Sequence, residues 1–179
     1  MAPEAAFASG KRGARGKDRN GVIMLKHHEE SIRNLVSYYK DGEGVIAVIL
    51  DGSIVHGNAR PDSDIDAVIV VTEEEYETRK RENRLAEVVT GHCTYEGGYF
   101  DVKFKSKKVL ELAAERASEP TRNAYLGAVT VYTKDEGIPG IIERISAYPE
   151  GEVAAKVRCF NSNLQLNRGY FLACVKEDN

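Results

Sequence analysis

The spacing of apolar positions changes along the chain, and each change predicts an element. Over residues 25–40 the apolar side chains Leu25, Ile32, Leu35, Val36 and Tyr39 recur at helical spacing, and Asp41-Gly42 supplies a stop. This predicts an amphipathic first helix. Residues 44–50 (GVIAVIL) form an unbroken apolar run, as expected of a strand covered on both faces. Residues 54–57 suit a short helical turn, 58–63 a polar loop in which Pro61-Asp62 is placed for a turn, and 64–71 a second strand.

Thr72 with Glu75 three positions on reads as a capping box. The helix it opens is acidic first (Glu73, Glu74, Glu75, Glu77) and basic later (Arg79, Lys80, Arg81, Arg84), which suits the helix dipole, so a solvated helical face accounts for this charge. Residues 92–96 and 99–105 flank Gly97-Gly98 and predict a hairpin. In its second arm Phe100, Val102 and Phe104 alternate with Tyr99, Asp101, Lys103 and Lys105. His92 and Cys93 are read as ordinary strand residues.

From residue 107 the pattern becomes helical, with candidates at 107–117, 120–127, 139–148 and from 152 onward. The last repeats apolar residues at Val153, Val157, Phe160, Leu164 and Phe171, a seam that needs a partner. Either a homodimer contact through these helices covers it, or the sequence stops short of a longer helical region. The expected fold is α/β (α+β): a small mixed, twisted sheet with flanking helices, then a helical annex. The domains are read as 1–20, a disordered basic leader; 21–106, a catalytic domain; and 107–179, the annex.

Composition narrows the setting. A chain of 179 residues supports one well-buried core and an appended piece. A net charge of −3 with 30% charged residues of both signs offers no general attraction to nucleic acid or acidic membranes, so an anion needs a local site. Cys93, Cys159 and Cys174 are odd in number and far apart, which predicts neither a disulfide framework nor a zinc site. With no apolar stretch long enough for a membrane span and no signal-peptide pattern, the expectation is a soluble, cytoplasmic protein. Residues 1–20 are a native arm or an added leader, with Met24 an alternative start. Lys11, Arg12, Arg15, Lys17 and Arg19 there are weak evidence for a nucleic-acid arm.

Candidate chemistry gathers in residues 51–71. On a strand Asp64 and Asp66 share one face while Ile65 points to the other. Two neighbouring carboxylates repel each other unless a cation sits between them. Asp101 brings a third carboxylate on another strand. Such a set suits Mg²⁺, which takes hard oxygen ligands and shares them with substrate phosphates, and paired ions roughly 3.5–4 Å apart serve in-line displacements. Gly52 lets backbone amides approach a phosphate, Ser53 adds a hydroxyl donor, and the helical turn that follows offers unpaired N–H groups.

Asp-x-Asp and Gly-Ser are each weak signals, common in turns. Their combination between two apolar strands, with Asp101 on a third, carries the reading. Lys103 and Arg60 are placed to meet phosphates, but lysines on an outer strand also guard against aggregation. His27, His28, Glu29 and Glu30 lack a metal-binding spacing and read as a solvated helix end.

Gly52-Ser53, Gly57, then Ser63-Asp64-Ile65-Asp66, with Asp101 on a later strand, resembles the nucleotidyltransferase domain of the DNA polymerase beta-like superfamily. The flavour is that of the small prokaryotic members, which include aminoglycoside adenylyltransferases and antitoxin-type minimal domains. The resemblance spans residues 25–105. It implies Asp64 and Asp66 as the metal-ligand pair, Asp101 as the third carboxylate, and Gly52, Ser53 and Ser63 as nucleotide contacts. It also implies two Mg²⁺ ions, with Mn²⁺ as a substitute, and transfer of a nucleoside monophosphate, usually AMP from ATP, to an acceptor hydroxyl with release of pyrophosphate. His56 stands where relatives often carry Arg or an aromatic residue.

The acceptor is expected to be a small-molecule or protein hydroxyl; the acidic balance argues against nucleic acid. Whether Asp101 acts as base or only as ligand stays open. A reading of another class is an antitoxin-like binding module that neutralises a partner protein.

Overall fold

The computed structural model describes residues 15–17 and 23–177, and most of the expected basic leader lies outside them. β1 (Arg15–Lys17) pairs antiparallel with β2 (Ile23–Leu25). By its internal contacts the chain forms two compact units, one ending at Ser146 and the other beginning at Ala147.

The first unit is built on a mixed five-stranded sheet in the order β5-β6-β4-β3-β7. Its strands are β3 (Val45–Leu50), β4 (Ile65–Val71), β5 (Ala86–Thr90), β6 (Tyr99–Ser106) and β7 (Val129–Thr133). β4 runs parallel to β6 and antiparallel to β3. The expected mixed α/β fold with flanking helices is therefore the fold observed.

β3 and β4 are apolar on both sides because both sheet faces are covered. On one face Val48, Leu50, Ile65, Ala67, Ile69, Phe100, Val102 and Phe104 pack with Ile32, Leu35 and Tyr39 of α1 (Lys26–Tyr39). Ile54 and Val55 of α2 (Gly52–Val55) join them, with Tyr76 of α3 (Glu73–Arg81) at the margin. On the other face Ala47, Ile49, Val68 and Val70 meet Leu110 of α4 (Lys107–Arg116), Tyr125 of α5 (Glu119–Tyr125) and four isoleucines of α6 (Gly137–Ser146). Each such fully buried large side chain contributes roughly 1.5–3 kcal/mol.

Three expectations need correction. The first arm of the hairpin is Ala86–Thr90, not 92–96; its pairing Thr90↔Tyr99 leaves His92 and Cys93 in the connection. The stretch after 107 is not helical throughout, since Val129–Thr133 is a strand that completes the sheet against β3. His28 is no solvated helix end: it is fully buried, its ring against those of His27 and Tyr95, while His27 Nε2 donates to the Pro61 carbonyl at 2.9 Å.

The predicted cap at Thr72 is present, its hydroxyl accepting from the Glu75 N–H at 3.3 Å. In the second unit a short 3₁₀ turn (Glu150–Glu152) leads into α7 (Val153–Glu177). Val153, Val157, Phe160, Leu164 and Phe171 of the predicted seam are all exposed there. No helix among the described residues is long and apolar enough to cross a membrane.

Candidate active site

β4 is buried along its length except at Asp66, where a carboxylate interrupts the apolar run. Ile65 lies in the core on one face, so the pleat sends Asp66 to the other. Parallel pairing of β4 with β6 sets Asp66 directly beside Asp101. Since Phe100 and Val102 fill the first core, Asp101 shares the face of Asp66. Two carboxylates predicted from separate strands are thus neighbours.

A cation already lies between them. Lys103 Nζ stands 3.2 Å from Asp101 Oδ2 and 3.8 Å from Asp66 Oδ1. Burial works against the Lys103 charge, but hydrogen bonding and attraction to Asp101 raise its pKa overall. Burial first, and then the charges of Asp64 and Asp101, hold the Asp66 carboxyl above its ordinary value, with Lys103 opposing. Asp64 sits just before β4, half-buried, and a hydrogen bond to it raises the Tyr99 phenol.

Gly52 adopts φ +72°, in the left-handed region, and a Cβ there would fall 2.0 Å from Asp66 Oδ2. The backbone at 52 therefore passes directly over the carboxylate, with no space for a side chain. Ser53 follows in the first turn of α2, and its buried hydroxyl has no hydrogen-bond partner among the described residues. His56 Nε2 donates to the Leu126 carbonyl at 2.5 Å, which ties the end of α2 to the turn after α5.

Ser63 is engaged in its own loop: Oγ accepts from the Arg60 N–H at 2.9 Å, and its carbonyl accepts from the Tyr95 hydroxyl at 2.5 Å. Arg60 is spent nearby, 3.3 Å from Asp62.

Asp51 went unassigned in the sequence. It continues the pleat of β3 on the face of Ile49, and its N–H donates to the Asp66 carbonyl at 3.2 Å. Burial and the Asp66 charge push its carboxyl up to about 6, while Lys103 and Lys105 pull against them. Burial lowers Lys105, against the attraction of Asp51. Acids and lysines therefore alternate along one sheet face. An acid ending an apolar strand just before Gly52 was the available signal.

A divalent cation fits this donor set. The oxygens are hard carboxylates, a positive group already occupies the space between two of them, and the buried Ser53 hydroxyl is unsatisfied. Among the described residues no three Asp, Glu, His or Cys side chains are gathered closely enough to hold an ion by themselves. Open coordination positions are what Mg²⁺ fills with waters and substrate phosphates.

A mixed sheet whose carboxylates lie beside a glycine-led turn places the chain in the mixed α/β class. Within it, a family model described as nucleotidyltransferase domain matches residues 30–121, more than half of the chain, and the chain belongs to that family. Among solved structures, one described as "Crystal structure of the toxin-antitoxin with AMP-PNP" aligns with 77% of this chain and 98% of its own. The identity is 13% and the TM-score 0.38. No curated protein matches.

Proposed function

We propose that the protein transfers a nucleoside monophosphate, AMP from ATP, to a hydroxyl of a small molecule or protein, with two Mg²⁺ ions held by Asp64, Asp66 and Asp101. The observation that carries this reading is the juxtaposition of Asp66 and Asp101 beneath Gly52. When bound, the ions would neutralise charge developing on the α-phosphate and lower the pKa of the attacking hydroxyl.

The chain's own residues supply position. Asp66 and Asp101 fix the seat from adjacent strands, and Asp64 approaches it from the loop before β4. The Gly52 backbone and the Ser53 hydroxyl orient the triphosphate, while Ser63 braces the loop that delivers Asp64. The acceptor oxygen attacks the α-phosphorus as the bond to the β-phosphate oxygen breaks and pyrophosphate leaves. The hydroxyl proton passes to Asp101 or to water. The acceptor approaches beside β5, where Val88, the register partner of Asp101, is exposed.

Pyrophosphate release from ATP with Mg²⁺, measured over a panel of hydroxyl acceptors against Asp64→Ala, tests the reading. Turnover lost in the variant is expected; turnover that survives it would refute the assignment. The exposed apolar seam of α7 favours a second reading, a module that binds and neutralises a partner protein. Absence of turnover together with tight association with one partner would favour that reading.

A further inference from the structure

The Asp66–Asp101 pair already has a counter-cation of its own. Lys103 leaves β6 two residues after Asp101 on the same face, and its ammonium reaches both carboxylates, at 3.8 and 3.2 Å. The side chain is 45% exposed, so the ammonium has open solvent to turn into. Its stem is unbranched and freely rotating, and its head is a compact point charge.

The ammonium and a divalent ion compete for the same oxygens of Asp66 and Asp101. A divalent ion entering between Asp66 and Asp101 must expel the ammonium, which then stands beside the site without a counter-charge. A metal ion arriving alone leaves that deficit standing. An ion arriving on a triphosphate brings anionic oxygens to which the displaced ammonium can turn.

We propose that Lys103 is an exchangeable counter-cation, holding the carboxylate pair until a metal–triphosphate complex displaces it and then pairing with the phosphates. The seat therefore loads with the complex in preference to the bare ion. Lys103 is a specificity-determining residue for the form in which the nucleotide binds. This rests on the reading of Asp66 and Asp101 as metal ligands.

The two halves predict opposite signs for one substitution. Titration calorimetry on the full chain compares Mn²⁺ alone with the Mg²⁺ complex of a non-hydrolysable ATP analogue, for the wild type, Lys103→Met and Lys103→Arg. Lys103→Met is expected to bind Mn²⁺ about fivefold more tightly, the equivalent of one surface ion pair, and the nucleotide complex about fivefold more weakly. Lys103→Arg, which keeps the charge, should follow the wild type for Mn²⁺. A purely structural lysine would weaken both ligands together. The exchange is overturned if Lys103→Met binds Mn²⁺ no more tightly or the complex no more weakly. If the wild type and Lys103→Met both bind no Mn²⁺, the metal-ligand reading itself fails, and the exchange with it.

Discussion

The α-carbon of Gly52 lies so close to Asp66 that a methyl group on it would sit 2.0 Å from Asp66 Oδ2. The same residue has φ +72°, where an L side chain costs roughly 1–2 kcal/mol. Gly52→Ala should therefore lose at least that much stability in urea unfolding and also push the carboxylate aside. Because a displacement of about 1 Å costs on the order of 100-fold in rate, turnover should fall by about that factor. An alanine variant that folds and turns over normally would show that this close approach is irrelevant to catalysis.

Ser53 offers a cleaner separation of binding from folding. Its buried hydroxyl has no partner among the described residues, so Ser53→Ala removes an unsatisfied group and should leave the melting temperature unchanged or slightly raised. A hydrogen bond to a charged phosphate is worth about 1.5–3 kcal/mol, so KM for the nucleotide should rise by about tenfold or more. Equal KM values would remove Ser53 from the phosphate seat.

Asp51 predicts how the metal-free protein responds to pH. Its carboxyl is raised from 3.8 to about 6, chiefly by burial and then by Asp66, so the folded state holds the proton more tightly than the unfolded chain. Its contribution to stability is full below pH 3.8 and is lost as pH rises through 6, a swing of up to about 3 kcal/mol. Asp51→Asn should thus stabilise the protein at pH 7.5 and much less at pH 4.5, read by chemical denaturation in chelator. A gain of equal size at both values would contradict the assignment.

Arg79 tests the fold away from the site. Its guanidinium lies 3.6 Å from the centre of the Phe104 ring, with Nε 2.6 Å from Glu75 and Nη1 3.8 Å from Glu87. Arg79→Ala should cost about 1–2 kcal/mol by removing the contact that holds α3 to β6. Once the protein is folded, KM for the nucleotide should be unchanged. A rise in KM would mean that β6 moves with α3.

The two central strands and the capped helix were legible because local pattern and final environment agree. β3 and β4 are covered on both faces, as their unbroken apolar runs imply, and Thr72 caps the helix its motif predicts. The strand at Ala86–Thr90 was hidden because AEVVT follows a charged helix, presents Val88 to solvent and packs only Val89 partly against the core. Val129–Thr133 (VTVYT) carries the β-branched and aromatic residues of a strand but lies between helical stretches, and pairing with β3 is what settles its state.

At the site, Asp66 and Asp101 were legible as acids on alternating strands, but their direct register was not, because pairing partners are set by the whole sheet. Asp51 was missed for the same reason. An acid at a strand end resembles any turn residue until the neighbouring strand brings Asp66 against it.

Diffraction from crystals grown with Mn²⁺ and a non-hydrolysable ATP analogue interrogates the carboxylate pair directly. An anomalous peak bonded to both Asp66 and Asp101, with Lys103 turned toward phosphate, is the predicted result. Nucleotide bound with no manganese at that position, and Lys103 still bridging the two acids, would contradict it.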